Sequence, residues 1–171
     1  ISGSIPAVFL ALPFFTTLSV LYSSRHILDE LHEKYGDHHD RKKKKILWFT
    51  DTLTDLNGVS ETIQKLGWFA GDAGYDLQVV SCLLAEEISS NQLPPNVLVL
   101  PHIFFYTPSF FNTYTLRVPS CMRSIQKVCE LNPNEILIST PGPVGLLGML
   151  VARLLRIPCR SVFHTDFSAQ A

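Results

Sequence analysis

The chain has 171 residues, of which 46% are hydrophobic, and its formal net charge is -1. This length and composition are typical of one globular domain with a sizeable core. The near-zero charge excludes proteins that bind nucleic acid through an overall basic field. The four cysteines are widely spaced and form no C-x-x-C pair, which argues against a zinc ribbon or a thioredoxin-type motif and favours a reduced, cytoplasmic compartment.

The first 45 residues differ in composition from the rest and are predicted to form a separate segment, an apolar helix followed by a charged linker. Residues 5–22 carry no charge, and their length is borderline for spanning a bilayer. We expect a helix that packs on this domain, on a missing domain or on a partner subunit, with a membrane-seated helix as the alternative. The basic run at 41–45 either is solvated or contacts anionic lipid on the inner face of a membrane.

From residue 46 onward, short apolar runs alternate with segments of helical length. The apolar runs are typical of buried strands and lie at 46–51, 76–83, 96–100, 135–139 and 159–163. Helices are expected in three of the segments between them, at 59–70, 119–131 and 144–156. Gly74 has the position of a helix C-terminal glycine. The aromatic stretch at 101–118 shows no clear period.

This alternation predicts an α/β fold, a Rossmann-like parallel sheet with helices on both faces, preceded by an extra N-terminal helical segment. The runs are apolar on both faces, as a doubly covered parallel sheet requires. The expected strand order is 3-2-1-4-5, in the manner of a mononucleotide-binding half. Cys82 and Cys159 fall in strand-like runs and are expected in the core.

Ligands of such sheets bind outside the carboxyl ends of the strands, where the strand order reverses. Here that point lies between the first and fourth predicted strands, so the candidate loops are 51–60 and 140–145. Asn57 and Gly58 lead into a helix, and the first N–H groups of a helix favour phosphate. An ordinary turn with a helix cap explains the same two residues. The G-x-G-x-x-G fingerprint is absent, which argues against a nicotinamide or flavin enzyme.

His164 directly follows the fifth predicted strand. A histidine at a strand end can orient a sugar hydroxyl or stabilise developing charge, and a buried histidine bonded to backbone is the alternative. Asp166 either tunes this histidine or caps the next segment.

Three segments of the chain carry a family resemblance: TDTLTDLNGVSETIQKL, STPGPVGLLGMLVARLLRIP and SVFHTDFSAQ. Together they resemble the N-terminal domain of glycosyltransferase family 4, retaining enzymes of the GT-B fold such as the bacterial mannosyl- and glucosyltransferases that build glycolipids. The resemblance runs from Ile46 to Phe167 and is weak around 85–118.

The resemblance implies roles for individual residues. Near the donor phosphates it implies Asn57, Gly58 and Val59. In the wall of the cleft it implies Thr140, Pro141 and Gly145. His164, the catalytic candidate, is implied to contact the transferred sugar near the reacting carbon, with Thr165 and Asp166 beside it. The donor is implied to be a nucleoside-diphosphate sugar, with no cofactor and no obligatory metal.

The family's second domain binds most of the nucleotide and does not fit after Ala171. We therefore expect 46–171 to be the acceptor-side half of a transferase and to be inactive alone. Residues 102–114 are the candidate surface for a carbohydrate or lipid acceptor, with core and interface packing as the alternative. Two other functions stay open: an epimerase or hydrolase on the same two-domain plan, and a non-catalytic interaction module that residues 1–45 dock to a partner or membrane.

Overall fold

A computed structural model describes the chain at residues 12, 13, 15–17, 19, 20, 23, 27, 30, 31, 34, 35, 44–107 and 115–162. The strands in chain order are β1 (Ile46–Phe49), β2 (Leu77–Ser81), β3 (Val97–Val99), β4 (His102–Tyr106), β5 (Leu116–Pro119), β6 (Glu135–Ile138) and β7 (Cys159–Ser161). The helices that follow β1 are α1 (Gly58–Asp72), α2 (Ala85–Ser90), α3 (Cys121–Leu131) and α4 (Pro143–Leu155).

Five strands form a parallel sheet in the order β3-β2-β1-β6-β7. This is the predicted 3-2-1-4-5 order, and the predicted Rossmann-like α/β fold is confirmed. The order reverses between β1 and β6, which pair in the register Phe49↔Ile138. The loops that follow these two strands therefore start side by side at the carboxyl edge of the sheet.

Alternate residues of β1 enter two cores, one on each face of the sheet. Leu47 and Phe49 pack in the larger core with α3 and α4, through residues such as Ile125 and Val151. Trp48 packs on the other face with Ile63 of α1. Burial on both faces explains why the strand is continuously apolar.

The aromatic stretch contains a hairpin that the sequence did not predict, because it has no clear period. β4 and β5 pair antiparallel as a separate two-stranded sheet. Pro119 ends β5, and α3 begins two residues later than predicted. Of the two cysteines expected in the core, Cys82 is buried, but Cys159 is exposed. The prediction for Cys159 was wrong because all three residues of β7, the last strand at its end of the sheet, are exposed.

The described residues between 12 and 35 are helical, and Phe15 packs against the larger core. Within the described part of the chain, no helix is long and apolar enough to cross a membrane. The last two lysines of the basic run make ion pairs at the amino edge of the sheet, Lys44 with the buried Glu135 and Lys45 with Asp76. These pairs lie at the opposite edge of the sheet from the loops that follow β1 and β6.

Candidate functional site

The N-terminus of α1 is built from local sequence. Asn57 is extended, and its side-chain oxygen accepts a hydrogen bond of 2.8 Å from the Ser60 N–H. Gly58 opens the helix, and apart from its chain neighbours and its own helical turn no described atom lies within 4 Å of an ideal Cβ there. The first N–H groups of a helix have no partner within the helix. This end of α1 is thus open, with room for a ligand to approach the backbone.

The N-terminus of α4 is capped by a residue from another strand. Asp51, just beyond β1, accepts hydrogen bonds from the Val144 N–H at 2.8 Å and the Gly145 N–H at 3.2 Å. The Thr140 hydroxyl donates to the same carboxylate at 2.9 Å and accepts from the Asp51 N–H at 2.8 Å. One carboxylate therefore joins the end of β1, the loop after β6 and the first turn of α4.

Three glycines let α4 sit this close to the sheet. An ideal Cβ at Gly142 would lie 2.5 Å from the Asp51 carboxyl carbon, and one at Gly145 would lie 1.8 Å from the Thr140 carbonyl oxygen. One at Gly148 would lie 2.8 Å from the Phe49 ring. No real side-chain carbon tolerates such distances, so each position requires glycine for reasons of space.

The Asp51 side chain is buried, and two opposing effects act on its pKa. Burial raises the pKa above 3.8 and outweighs the hydrogen bonds from Val144, Gly145 and Thr140, which lower it. The backbone donors favour the carboxylate form, whereas loss of water favours the neutral acid.

A large cleft of about 1030 Å³ opens at the carboxyl edge between β1 and β6. At that edge it is lined by Thr52, Asn57 and Val59 from the loop before α1 and its first turn, and by Thr140 and Pro141 from the loop after β6. Two segments far apart in sequence thus line the same cleft, as the topology predicts.

Below that edge the cleft continues along α4 and over β7. Its lower walls are mainly apolar and include Met149, Leu150 and Ile157, with Arg153 and Arg156 near the C-terminus of the helix. A crossover helix runs antiparallel to its strands, so these two arginines lie toward the amino edge. Only the upper end of the cleft coincides with the sheet edge where ligands of this fold class bind.

The structure brings together four of the residues singled out in the sequence: Asn57, Val59, Thr140 and Pro141. Gly58 lies beside them at the start of α1. Gly145 is not a cleft residue; it is buried in α4 beneath the Thr140 carbonyl. His164, Thr165 and Asp166 lie outside the described residues. Ser161 and Val162, the residues just before that segment, line the cleft.

A second polar cluster lies at the carboxyl edge, on the β2 side. The Glu87 carboxylate accepts from the Thr54 hydroxyl at 2.8 Å and from the Leu84 N–H at 2.8 Å. It also forms a two-point ion pair with Arg117 of β5, whose side chain is only 8% exposed. Glu87 thereby ties the hairpin to the loop that precedes α1.

Two further groups beside this cluster have raised pKa values. Burial raises the pKa of Asp55, opposed by the positive charge of Arg117. Burial also raises the pKa of the Cys82 thiol to about 11, so this cysteine is protonated at neutral pH. Among the described residues, no three His, Cys, Asp or Glu side chains lie close enough together to hold a metal ion.

The hairpin exposes an unusual amount of apolar surface. All five residues of β4 are exposed, and Ile103, Phe104, Phe105 and Tyr106 are each at least half accessible to solvent. For this part of the aromatic stretch, packing in the core of the domain is thus excluded. Contiguous exposed apolar surface of this kind is uncommon on a single domain.

Sequence reasoning missed three residues of this edge: Asp51, Glu87 and Arg117. Asp51 had a detectable signal, a charged residue directly after a fully apolar strand at the edge where ligands bind. The ion pair of Glu87 and Arg117 joins residues 30 positions apart and depends on a hairpin that the sequence did not predict. No local pattern indicates it.

Comparisons with protein-family models, with curated proteins and with solved structures find no match to this chain. The resemblance to glycosyltransferase family 4 therefore stays a prediction from three sequence segments.

Proposed function

We propose that this chain is the acceptor-side half of a retaining glycosyltransferase, which moves a sugar from a nucleoside-diphosphate sugar to a carbohydrate or lipid acceptor. The observation that carries the proposal is the shared upper cleft, which the open N-terminus of α1 lines together with Thr140 and Pro141 at the switch point of the sheet. A helix N-terminus attracts phosphate groups, and glycine at that position lets them come near the backbone.

The proposed roles follow from this arrangement. The N–H groups at Gly58 and Val59, the first two residues of α1, stabilise the negative charge of the diphosphate. Thr140 and Pro141 bound the space for the sugar. His164 is the proposed catalytic residue near the reacting carbon, since β7 leads toward the cleft at Ser161 and Val162. Catalysis then comes chiefly from positioning and from charge stabilisation.

The acceptor is proposed to bind near the exposed strand β4. The hairpin is held at the carboxyl edge by Arg117 and Glu87, and its aromatic rings are accessible. Aromatic faces suit sugar rings and lipid chains. The proposed compartment is the cytoplasm, and a lipid acceptor would bring the reaction to the inner face of a membrane.

The test is transfer by the natural full-length protein with a panel of nucleoside-diphosphate sugars, with and without added acceptors. We expect His164→Ala to lower kcat/KM by roughly a hundredfold or more, because a group that stabilises transition-state charge is lost. The matched control is His39→Ala in the charged N-terminal segment, outside the region of resemblance, which should keep full activity.

Circular dichroism and thermal unfolding of both variants separate lost chemistry from lost folding. Unchanged transfer by His164→Ala would remove this histidine from the mechanism. Cleavage of the donor at the same rate with and without acceptors would favour a hydrolase instead. Absence of turnover together with retained binding of a partner protein would favour the interaction module.

A further inference from the structure

The carboxylate of Asp51 occupies the position that a bound anion would take at the N-terminus of α4. It accepts from two backbone N–H groups of the first turn, those of Val144 and Gly145, and from the Thr140 hydroxyl. Asp51 as a whole residue is 6% exposed, so its carboxylate belongs to the interior rather than to the surface.

The space around the carboxylate is shaped to hold it. Gly142 lies so close that an ideal Cβ would fall 2.5–2.7 Å from the three carboxyl atoms of Asp51. The pairing of β1 with β6 brings residue 51 to the loop after β6. Thr140 both donates to and accepts from Asp51, which fixes the start of that loop in one orientation.

We infer that Asp51 is a positioning residue: it acts as a built-in anion that closes the N-terminus of α4 to phosphate and holds the Thr140 wall of the cleft. A diphosphate that enters the cleft then binds at the N-terminus of α1, because that of α4 is occupied. This last step rests on the proposed function, whereas the closure of α4 does not.

The experiment is a backbone amide NMR titration of the chain in three forms: wild type, Asp51→Ala and Asp72→Ala. Asp72 is an exposed carboxylate in the last turn of α1 and serves as the matched control. Each form is titrated with sodium formate and with sodium chloride at equal ionic strength, and then with inorganic pyrophosphate.

In Asp51→Ala we expect formate to refill the vacated space. The amide signals of Val144 and Gly145 should shift saturably with formate but not with chloride, and formate should raise the Tm. Wild type and Asp72→Ala should show neither effect, since α4 is closed in both. The assignment is overturned if formate acts no differently on Asp51→Ala than on wild type, or if pyrophosphate moves the Val144 and Gly145 signals of wild type.

The isosteric variant Asp51→Asn keeps the test decisive if Asp51→Ala does not fold. An amide group offers one acceptor where the carboxylate offered two, so hydrogen exchange at Val144 and Gly145 should accelerate on the order of tenfold. Unchanged exchange would overturn the assignment. Shifts of the Gly58 and Val59 amide signals of wild type on addition of pyrophosphate report separately on the proposed donor site. If these two signals do not move, the proposed donor site fails, while the result at Val144 and Gly145 still stands.

Discussion

Two of the helices that start at the carboxyl edge of the sheet, α1 and α4, are capped in opposite ways. The N-terminus of α1 is capped by Asn57, three residues from its donor, and its glycine faces open space. The N-terminus of α4 is capped by Asp51, which is 93 residues away from Val144, and its glycines are packed against the sheet and the preceding loop.

A glycine at a helix start therefore has two unrelated uses. At Gly58 it leaves the backbone accessible, whereas at Gly145 it lets the helix approach a carbonyl at a distance that no side chain permits. One helix end is therefore available to a ligand, and the other is filled by the protein itself.

The largest effect is expected for Gly145→Ala. The new methyl group would lie 1.8 Å from the Thr140 carbonyl oxygen, and backbone must move to accept it. We expect the free energy of unfolding to fall by about 3 kcal/mol, which is the upper end of the usual cost of an extra methyl group in a packed core. Urea unfolding measures it, with Gly58→Ala as the control that changes stability by only a few tenths of a kcal/mol. Equal effects of the two variants would contradict the comparison.

Arg117→Met tests whether the ion pair with Glu87 supports the loop that leads to the open end of α1. The variant leaves Glu87 without its buried partner, and Glu87 holds Thr54 in the loop before that helix. Breaking such a pair costs about 2–3 kcal/mol, less than for a fully buried pair because the Glu87 side chain is 19% exposed. The exposed pair of Lys65 and Glu61 is the control, and Lys65→Met should cause no measurable change.

A smaller effect is expected for Asn57→Ala. The variant removes the side-chain acceptor of the Ser60 N–H, and a lost cap of this type costs about 1 kcal/mol. Asn57→Asp keeps an acceptor and should retain wild-type stability in thermal unfolding. If both variants were equally destabilised, the local cap would not be what starts α1.

The smallest effect is the pH dependence that Asp51 contributes. Its pKa is raised above 3.8 in the folded state, so the folded chain holds this proton more tightly than the unfolded chain does. The stability that the protonated Asp51 contributes is fully present below its pKa in the unfolded chain. The free energy of unfolding then falls as the pH rises through the pKa of Asp51 in the folded chain. Urea unfolding over a pH series should show this slope as the difference between wild type and Asp51→Asn. We expect the free energy of unfolding of wild type, minus that of Asp51→Asn, to fall as the pH rises in that window. A rise of this quantity would contradict the prediction.

Much of the fold could be predicted from the sequence because its signals are local. Runs that are apolar on both faces, such as 46–49 and 135–138, indicate buried parallel strands, and the segments between them have helical length. Gly74 has a φ of 69° just beyond α1, as its predicted C-terminal position requires. The hairpin was missed because β4 is exposed on both faces and has no alternation to detect.

The layered α/β architecture and the strand order follow from the sequence alone, and Asn57 was placed there at the start of a helix. The filling of the start of α4 by Asp51 and the anchoring of the hairpin by Arg117 through Glu87 emerge only in the folded chain. Apolar periodicity and a helix start are visible along the chain, because the residues that define them are close in sequence. A buried carboxylate finds its donors only after strand pairing has brought distant segments together.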